Sequence, residues 1–312
     1  MNKIAHIAVI GSCSVDFCTY SPKLPSPGET VIGVKFTTSY GGKGANQCVA
    51  AAKLGGKSHM ICRLGDDQWG HQYKKHFQEN GVDIQNVHIM SNVATGIAQI
   101  AVSEKGENQI VIVPGANNYL SIDDVHNASE LITSAEILIG QLETPLKPTL
   151  EAFKLNKGIK LLNAAPVRAD AVEILPYCTI LCVNEPEAST LSGINVGSVD
   201  EAADAIKRLL KMGCQMVIIT LGENGALYAS QNETKLIHVL CDPVNAVDTT
   251  GAGDAFVGAL ATFLVTYKDR PIHQIIGAAC EVATISVTKE GTQTSYPTNY
   301  RPFGREYNYK IL

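Results

Sequence analysis

Short apolar runs rich in β-branched residues recur along the chain, and from residue 121 onward they alternate with helical stretches such as SIDDVHNASELITSA and VDEAADAIKRLLKMG. This alternation is typical of a parallel sheet covered by helices on both faces. Runs that are apolar at nearly every position, such as ILIGQL and MVIITLG, suit strands buried on both faces. We therefore predict an α/β fold, a three-layer αβα body with a mostly parallel central sheet. The predicted strands cover residues 7–11, 97–103, 109–115, 137–142, 160–166, 179–185 and 216–222.

Two regions lack helical periodicity and do not fit this alternation. Residues 17–40 are rich in Pro, Thr and Ser, and residues 92–113 contain two strand-like runs joined by EKGENQ. We predict that about 17–40 and 92–117 form antiparallel strands of a small β-sheet that projects from the body as a lid. Because no linker, repeat or low-complexity segment interrupts the chain, we predict one domain over residues 1–312.

The composition is that of a soluble enzyme and narrows the possible partners. The 312 residues are 45% hydrophobic and 18% charged, and the net charge is −5. An acidic chain with no basic block argues against nucleic acid or an anionic membrane as the main partner. No segment approaches the ~18 apolar residues of a membrane span, and the apolar run at the N-terminus is too short for a signal peptide. We expect a cytoplasmic protein, with the nucleus open if the source is eukaryotic.

Nine cysteines are scattered along the chain without a CxxC pair, and the histidines have no matching cysteine pair. Zinc binding therefore lacks its usual ligand spacing. Reduced thiols buried in a cytosolic core are the preferred interpretation.

The segment VDTTGAGDAF, residues 247–256, carries two acids and two glycines directly before a long apolar run. Glycines allow close backbone approach, and N–H groups at a helix N-terminus bind anions. One acid would serve as a helix cap, whereas two acids flanking GAG fit a phosphate cradle with a general base slightly better. The segment is neither a Walker loop nor a Rossmann fingerprint, because it lacks the lysine of the first and the third glycine of the second.

Further polar segments lie where predicted strands end or helices begin. GGKGANQ, residues 41–47, is explained about equally well by a sugar or phosphate site and by a mobile loop. For NEPE, residues 184–187, a polar helix start is the stronger explanation, although a carboxylate there can order Mg²⁺ through water. Asp16 alone is most often a turn residue, but its convergence with Glu143 and Asn46 at the carboxyl edge of the sheet would indicate a site.

Taken together and in this order, these segments resemble the ribokinase/PfkB carbohydrate kinase family. GGKGANQCVAAAKLG is similar to the family's N-terminal signature, and DTTGAGDAF to its C-terminal one, which is the more specific of the two. LPSPGET, PGANNYL, QLE, NEPE and ITLGENGAL add further agreement, so that the match runs from IGSCSVD to EGTQTSYP. The resemblance implies an α/β body with a β lid, and transfer of the γ-phosphoryl group of ATP to the O5 hydroxyl of D-ribose.

The resemblance also implies how the reacting groups are held. Asp254 would accept the proton of the sugar hydroxyl, and the N–H groups of Gly251, Ala252 and Gly253 would form an anion hole for the transferred group. Phosphoryl transfer depends mainly on such positioning and electrostatic stabilisation. The sugar hydroxyls would be held by residues that offer paired hydrogen bonds or close backbone approach: Asp16, Gly42, Lys43, Asn46 and Glu143, together with Asp254.

Nucleotide and cation sites are implied in the same way. Asn184 and Glu187 match the family's NxxE motif, which is tied to phosphate and Mg²⁺. The nucleotide side would be lined by Thr220, Leu221, Gly222, Gly225 and Gly253. A monovalent cation, K⁺, would lie beside the anion hole and be held largely by backbone carbonyls, at Asp248, Thr250, Ser286, Lys289, Gly291 and Ser295. The lid often pairs with that of a second subunit, which predicts a homodimer.

Relatives with other acceptors remain alternatives. A nucleoside acceptor would need an apolar or aromatic sugar site, whereas the expected sugar residues are polar. The sugar 2-deoxyribose is harder to exclude, because the loss of one hydroxyl contact can be tolerated. A non-catalytic sugar-binding protein on this fold would be expected to lack the base, and Asp254 is present. Cys280 and Glu281, on the helix expected to flank adenine, have no assigned role, which leaves nucleotide preference open.

Overall fold

Ten strands form a large sheet and four form a small one in the computed structural model, which describes residues 6–298 and 300–312. In chain order the strands are β1 (His6–Ile10), β2 (Ser14–Ser21), β3 (Lys35–Gly41), β4 (Lys57–Gly65), β5 (Asp83–Met90), β6 (Gly96–Ser103), β7 (Asn108–Val113), β8 (Ile137–Gly140), β9 (Ile159–Asn163), β10 (Ile180–Asn184), β11 (Met216–Thr220), β12 (Ala226–Ser230), β13 (Glu233–Val239) and β14 (Tyr309–Ile311). Each of the seven predicted strands overlaps one of these. The first five residues, at the start of the segment in which we expect no signal peptide, lie outside the described residues.

Helices connect most of the parallel strands. In chain order they are α1 (Lys43–Lys53), α2 (Gln68–Glu79), α3 (Ile122–Asn127), α4 (Ser129–Ser134), α5 (Leu146–Leu155), α6 (Glu185–Ser192), α7 (Val199–Lys211), α8 (Ala252–Thr266) and α9 (Ile272–Ser286). Short 3₁₀ turns occupy Gly115–Tyr119, Ala169–Glu173, Leu175–Tyr177 and Gly222–Asn224. Across residues 6–298 and 300–312, no helix has both the length and the apolar character needed to cross a membrane.

The large sheet has the order β5-β4-β1-β8-β9-β10-β11-β12-β13-β14. All pairs from β5 to β11 are parallel, and the last three pairs are antiparallel. Alternate residues of β1 enter two different apolar clusters: Ile7 and Val9 pack with α1, α2, α8 and α9, and Ala8 and Ile10 pack with α3, α5 and α7. Helices therefore cover both faces of the sheet, which confirms the predicted three-layer α/β class.

The strand order reverses at β1, which lies between β4 on one side and β8 on the other. Ligands of open α/β sheets bind in the crevice that such a reversal leaves beyond the carboxyl ends of the strands. The chain leaving β1 passes through Ser12, and the chain leaving β8 passes through Glu143. Helix α1 begins beside them, because the Ala45 N–H donates to the Ser12 carbonyl at 2.9 Å. This edge is where a site is expected.

The small sheet has the order β3-β2-β6-β7 and contains the regions predicted to form the lid. The pairs β2–β3 and β6–β7 are antiparallel, as predicted, but the central pair β2–β6 is parallel, with Asp16 opposite Ala98. Strands β2 and β6 leave the body from neighbouring points, since Ser14 and Gly96 are register partners at the start of each strand. The first strand of each hairpin, β2 or β6, therefore runs outward from the body in the same direction, which accounts for their parallel pairing.

Candidate active site

Helix α8 begins with a glycine turn that exposes its first backbone amides. Gly251, the N-cap residue, has φ +76°, and a Cβ there would lie 2.2 Å from Thr292 Cγ2. Both facts require glycine. The Tyr296 hydroxyl donates to the Gly251 carbonyl at 3.2 Å, which fixes the turn. Of the three amides predicted for the anion hole, that of Ala252 donates to the Thr249 carbonyl at 3.2 Å, whereas Gly251 and Gly253 line a cavity.

Asp254 lies in the first turn of α8 and is 6% exposed. Its Oδ2 accepts from Asn46 Nδ2 and its Oδ1 from Gln47 Nε2, each at 2.8 Å. Burial raises the pKa of the carboxyl, and the charge of Lys43 and these two hydrogen bonds oppose the rise. Burial therefore leaves this carboxylate more basic than an exposed one, while the amide donors orient it.

Gln47 was part of the GGKGANQ motif but had no predicted role. Its amide nitrogen donates to Asp254 and also to Asn163 Oδ1 at 2.9 Å, and its Oε1 accepts from Gln141 Nε2 at 2.7 Å. Gln141 directly follows β8, and Asn163 ends β9. The amide cluster therefore links the carboxyl ends of two strands to helices α1 and α8.

Lys43 opens α1 after Gly42, which has φ +89° as the N-cap residue. The Lys43 N–H donates to Glu143 Oε2 at 2.9 Å. Burial lowers the pKa of the Lys43 ammonium, but the carboxylates of Asp254, Glu143 and Glu187 raise it by more, so that the net shift is upward. The lysine is thus a buried cation compensated by three acids from different parts of the chain.

Glu143 lies beside Lys43, and it is close enough to Asp16 for its charge to act on that carboxyl. Glu143 Oε2 accepts from the Ser12 hydroxyl at 2.5 Å as well as from the Lys43 amide. Burial and the charge of Glu143 raise the pKa of Asp16 to about 7. A carboxylate with this pKa is only partly compensated by its surroundings, and it gains when a hydrogen-bond donor approaches.

Asn184 and Glu187 form a capping box at the start of α6. The Asn184 side chain accepts from the Glu187 N–H, and the Glu187 carboxylate accepts from the Asn184 N–H, each at 2.9 Å. The capping interpretation of this motif is therefore correct as far as it goes. Burial raises the pKa of Glu187, while the Asn184 amide and Lys43 lower it. The carboxylate also lines a cavity with Lys43 and Asp254, which a cap alone does not require.

Two cavities meet at the N-terminus of α8. The smaller one, of about 180 Å³, has polar walls that include Lys43, Asn184, Glu187 and Asp254. The larger one, of about 400 Å³, is lined mainly by small and apolar side chains, among them Val244, Ala246, Phe256, Ala283 and Val287. Thr220 and Gly253 belong to the walls of both cavities. A ligand with a flat apolar part and an anionic end would fit across the two.

The residues predicted to line the nucleotide side divide into two groups. Gly222 and Gly225 line the larger cavity with Thr220. Leu221 does not line this cavity: its side chain is buried in the apolar core, and its N–H donates to the Gly225 carbonyl at 2.8 Å. The turn is tight because Gly225, with φ +88°, permits it.

Cys280 and Glu281 occupy different positions on α9. Cys280 lines the larger cavity together with Cys241. Glu281 accepts hydrogen bonds from the hydroxyls of Tyr300 and Tyr307, and Arg305 pairs with its other oxygen at 3.4 Å. Glu281 therefore anchors the C-terminal segment against α9.

The residues predicted to hold a monovalent cation lie on two segments, 248–250 and 286–295, and the Asp248 carboxylate accepts hydrogen bonds from both. Asp248 Oδ1 accepts from the Thr250 N–H and Oδ2 from the Gly291 N–H, both at 2.9 Å. The Ser286 hydroxyl donates to the Ala283 carbonyl, and the Lys289 N–H donates to the Ser286 carbonyl at 3.3 Å. The hydroxyl of Ser295 donates to the Thr292 carbonyl at 2.8 Å.

This donor set suits a hard cation of low charge. Hard cations prefer oxygen ligands, and this set offers carboxylate, hydroxyl and carbonyl oxygens. Each Asp248 oxygen also keeps a lone pair after accepting one N–H. Within the part of the chain that the structure describes, no three His, Cys, Asp or Glu side chains are grouped as a metal site would need.

Comparison with known proteins agrees with this geometry. The model of the pfkB family of carbohydrate kinases matches residues 4–299. Ribokinase of Mus musculus is 41% identical over 297 residues, which are 94% of this chain and 92% of that protein. Deoxyribokinase of Salmonella typhi is 38% identical over 296 residues, 94% and 95% of the two chains. The structure of Arabidopsis thaliana ribokinase complexed with ribose and ATP has a TM-score of 0.86 at 30% identity and covers 95% of this chain and 96% of that one.

The family match spans both signature segments, whose residues meet in the structure where Asn46 donates to Asp254. These relatives cover 94% and 95% of the chain rather than one portion of it. On this agreement of sequence, fold and site geometry, the chain belongs to the pfkB family of carbohydrate kinases.

Proposed function

We propose that this protein transfers the γ-phosphoryl group of ATP to the O5 hydroxyl of D-ribose. The observation that carries the proposal is the junction of two cavities at Gly253, with Asp254 on the polar side of it. Adenine would occupy the larger, apolar cavity, and the sugar would lie near the smaller, polar one. The phosphate chain would pass between them, over the amides at the start of α8, where a helix N-terminus favours negative charge.

Asp254 would accept the proton of the attacking hydroxyl. The hydrogen bonds from Asn46 and Gln47 hold both of its oxygens in place, and its raised pKa suits a base that works near neutral pH. The N–H groups of Gly251 and Gly253 would stabilise the charge that grows on the transferred group. The Ala252 N–H would join them only if it released the Thr249 carbonyl.

The sugar would be held by groups that converge from three parts of the chain. Asp16 and Glu143 would accept hydrogen bonds from its hydroxyls, and Asn46 would donate and accept. Lys43, a buried cation between acids, would donate to the sugar or to the transferred phosphoryl oxygen. Gly42, with no side chain, would let the sugar approach the backbone.

The nucleotide would contact the strand ends on the opposite side of α8. Thr220 and Gly253 line both cavities, Gly222 and Gly225 line the larger one, and the Leu221 N–H holds the turn at Gly225. Asn184 and Glu187 would hold Mg²⁺ through water, with the phosphates of ATP as its direct ligands. Bound Mg²⁺ supplies positive charge to the phosphates during transfer.

A K⁺ ion would be held between the two segments that Asp248 joins. Its ligands would be oxygens of Asp248, Thr250, Ser286, Lys289, Gly291 and Ser295. Gly251 follows Thr250 directly, so that order in this loop is transmitted to the turn that begins α8. K⁺ would thus act on the anion hole without touching the substrate.

The lid supports a proposed homodimer. Its edge strand β7 carries four consecutive apolar residues, Ile110, Val111, Ile112 and Val113, each at least 49% exposed. An exposed apolar surface of this kind on a soluble enzyme marks a protein contact.

We place this chemistry in the cytoplasm, or in the nucleus of a eukaryote, because all nine cysteines are free thiols.

A second acceptor is favoured by a specific observation. Deoxyribokinase is 38% identical to this chain, only slightly less than the ribokinase relative at 41%. The experiment is therefore a panel of ribose, 2-deoxyribose, fructose and adenosine with ATP, scored by ADP release with and without K⁺. We expect ribose to have the highest kcat/KM. A preference for 2-deoxyribose would establish the alternative, and no acceptor-dependent ADP release would overturn the kinase proposal.

A further inference from the structure

A buried chain of hydrogen bonds leads from Asp254 to Gln293, a residue to which the sequence assigns no role. Asn46 Nδ2 donates to Asp254 Oδ2 at 2.8 Å, and Gln293 Nε2 donates to Asn46 Oδ1 at 2.9 Å. Each of these three side chains is at most 6% exposed. Buried polar side chains with satisfied partners are held in one geometry. Gln293 therefore reaches the proposed base through a single intervening side chain.

The orientation of the amides follows from a backbone carbonyl. The Gly41 carbonyl can only accept, so the Tyr73 hydroxyl donates its hydrogen to it across 2.5 Å. The Tyr73 oxygen is then left to accept, and it does so from Gln293 Nε2 at 3.1 Å. The amide nitrogen of Gln293 must therefore face Tyr73 and Asn46, which leaves Asn46 to present its oxygen to Gln293 and its nitrogen to Asp254.

Gln293 is itself fixed from two further directions. His76 Nε2 lies 2.8 Å from Gln293 Oε1, and Lys53 Nζ donates to the Gln293 carbonyl. The His76 ring stacks on Tyr40 with centroids 4.2 Å apart. Because Gln293 Oε1 accepts, His76 Nε2 must carry the hydrogen. Every polar atom of the Gln293 side chain thus has a partner that dictates its direction.

We propose that Gln293 is a positioning residue, which holds the Asn46 amide in the one orientation that serves both Asp254 and the sugar. If Asn46 turned over, its oxygen would face the Asp254 carboxylate, and two acceptors would repel. With Gln293 in place, Asn46 keeps one N–H and one lone pair for sugar hydroxyls. Gln293 lies between Gly291 and Ser295, so that it also joins the segment proposed to hold K⁺ to the sugar site. The inference rests on the proposed function.

The test compares two substitutions of Gln293 with a matched control. Gln293→Met keeps the length of the side chain but removes every polar partner. Gln293→Glu keeps an acceptor for His76 but has no hydrogen for Asn46. The control is Gln274→Met, because Gln274 is also a buried glutamine, 9% exposed, whose two hydrogen bonds go to the Tyr307 backbone at 2.9 and 3.0 Å, away from the site.

Steady-state kinetics with each substrate varied in turn give the decisive comparison, with thermal unfolding measured in parallel. We expect Gln293→Met and Gln293→Glu to raise the KM for ribose about 10-fold and to lower kcat, with the KM for ATP within twofold of wild type. Gln274→Met should lower the Tm and leave both KM values unchanged. A ribose KM within twofold of wild type in both Gln293 variants would overturn the positioning role. A wild type inactive on every sugar would instead reject the proposed function, and the positioning role with it.

Discussion

Gln47 Nε2 lies 2.8 Å from Asp254 Oδ1, on the opposite side of the carboxylate from Asn46. Each oxygen of Asp254 is therefore held by a different amide, and both amides belong to neighbouring residues of α1. Neighbouring helical residues point about 100° apart, so that the pair grips the carboxylate from two directions. The first signature segment thus orients the proposed base supplied by the second.

Asp254→Asn should fold, bind ribose and lose turnover. The carboxamide is close to the aspartate in size but cannot accept a proton, and general bases of this kind contribute about 10²–10⁴-fold to the rate. We expect kcat to fall by at least about 100-fold while calorimetry detects ribose binding. Gln274→Met serves as a buried control with wild-type turnover. A kcat within tenfold of wild type would contradict the role of Asp254 as base.

The convergence of the site could be predicted from the sequence because it follows from strand ends. Glu143 and Asn184 lie directly after or in a predicted strand, Asp16 follows the first predicted strand by a few residues, and the carboxyl ends of parallel strands share one edge of the sheet. Motif order then placed Lys43 and Asp254 at helix starts facing that edge. Hydrophobic patterning specifies this topology well, whereas the role predicted for each residue came from the resemblance to the kinase family.

The supporting amides could not be predicted in this way. Gln293 and Asn46 are 247 residues apart in the chain, and Gln47 and Asn163 are 116 apart. Nothing in the local sequence marks either glutamine as buried, because its neighbours fit a loop or a small-residue helix equally well.

Strand β4, KSHMICRLG, was not predicted because Ser58 and Arg63 interrupt its apolar pattern. The parallel pairing in the lid depends on where two hairpins leave the body, which patterning does not record.

Ribose binding should depend on pH through Asp16. The pKa of Asp16 in the free protein is about 7, raised by burial and by Glu143, and only the ionised carboxylate accepts hydrogen bonds with both oxygens. We therefore expect the affinity for ribose to rise by up to about tenfold per pH unit below 7 and to level off above it. Calorimetric titration measures this affinity from about pH 5.5 to about pH 8.5, which is roughly one and a half pH units on either side of the pKa. A flat profile in wild type, or an unchanged slope in Asp16→Asn, would exclude Asp16.

The same shift predicts the effect of Asp16 on stability without ligand. The folded state retains this proton up to about pH 7, whereas an unfolded chain releases it near 3.8. The folded state thus binds more protons between these values, so this contribution to stability falls as pH rises from about 4 to about 7 and stays lost above it. Asp16→Asn should therefore raise the Tm of the free protein at pH 8, by roughly 2–4 °C for each kcal/mol recovered. An equal Tm at pH 8 would show that ionised Asp16 costs nothing.

K⁺ should activate the enzyme through Asp248. The carboxylate joins the Thr250 and Gly291 amides, and a bound cation would stiffen the loop that leads into Gly251. We expect turnover in Na⁺ or Tris buffer to rise about fivefold or more when K⁺ is added, and Asp248→Asn to abolish most of that response. ADP release at several K⁺ concentrations measures both. A K⁺ response that persists in Asp248→Asn would place the cation elsewhere.

In the proposed dimer, a second subunit would bury one face of the lid sheet and leave the other face exposed. Alternate residues of a strand share a face, and register pairs Ile112 with Ala98 and Ala98 with Asp16. Ile112 is therefore on the same face of the small sheet as Asp16. Val111, on the same strand, pairs with Gln99, which pairs with Phe17 on the opposite face. The two are similarly exposed, at 60% and 64%, so that they form a matched pair for testing which face meets a second subunit.

Ile112→Asp should convert the proposed dimer into a monomer, whereas Val111→Asp should leave it intact. A buried, unpaired carboxylate costs several kcal/mol at an interface, and an exposed one costs little. Light scattering after size exclusion gives the mass of each variant at equal concentration. Because the same face carries Asp16, loss of the partner would also open the sugar site, and we expect the ribose KM of Ile112→Asp to rise while that of Val111→Asp does not. A dimer that survives Ile112→Asp but dissociates in Val111→Asp would assign the contact to the other face.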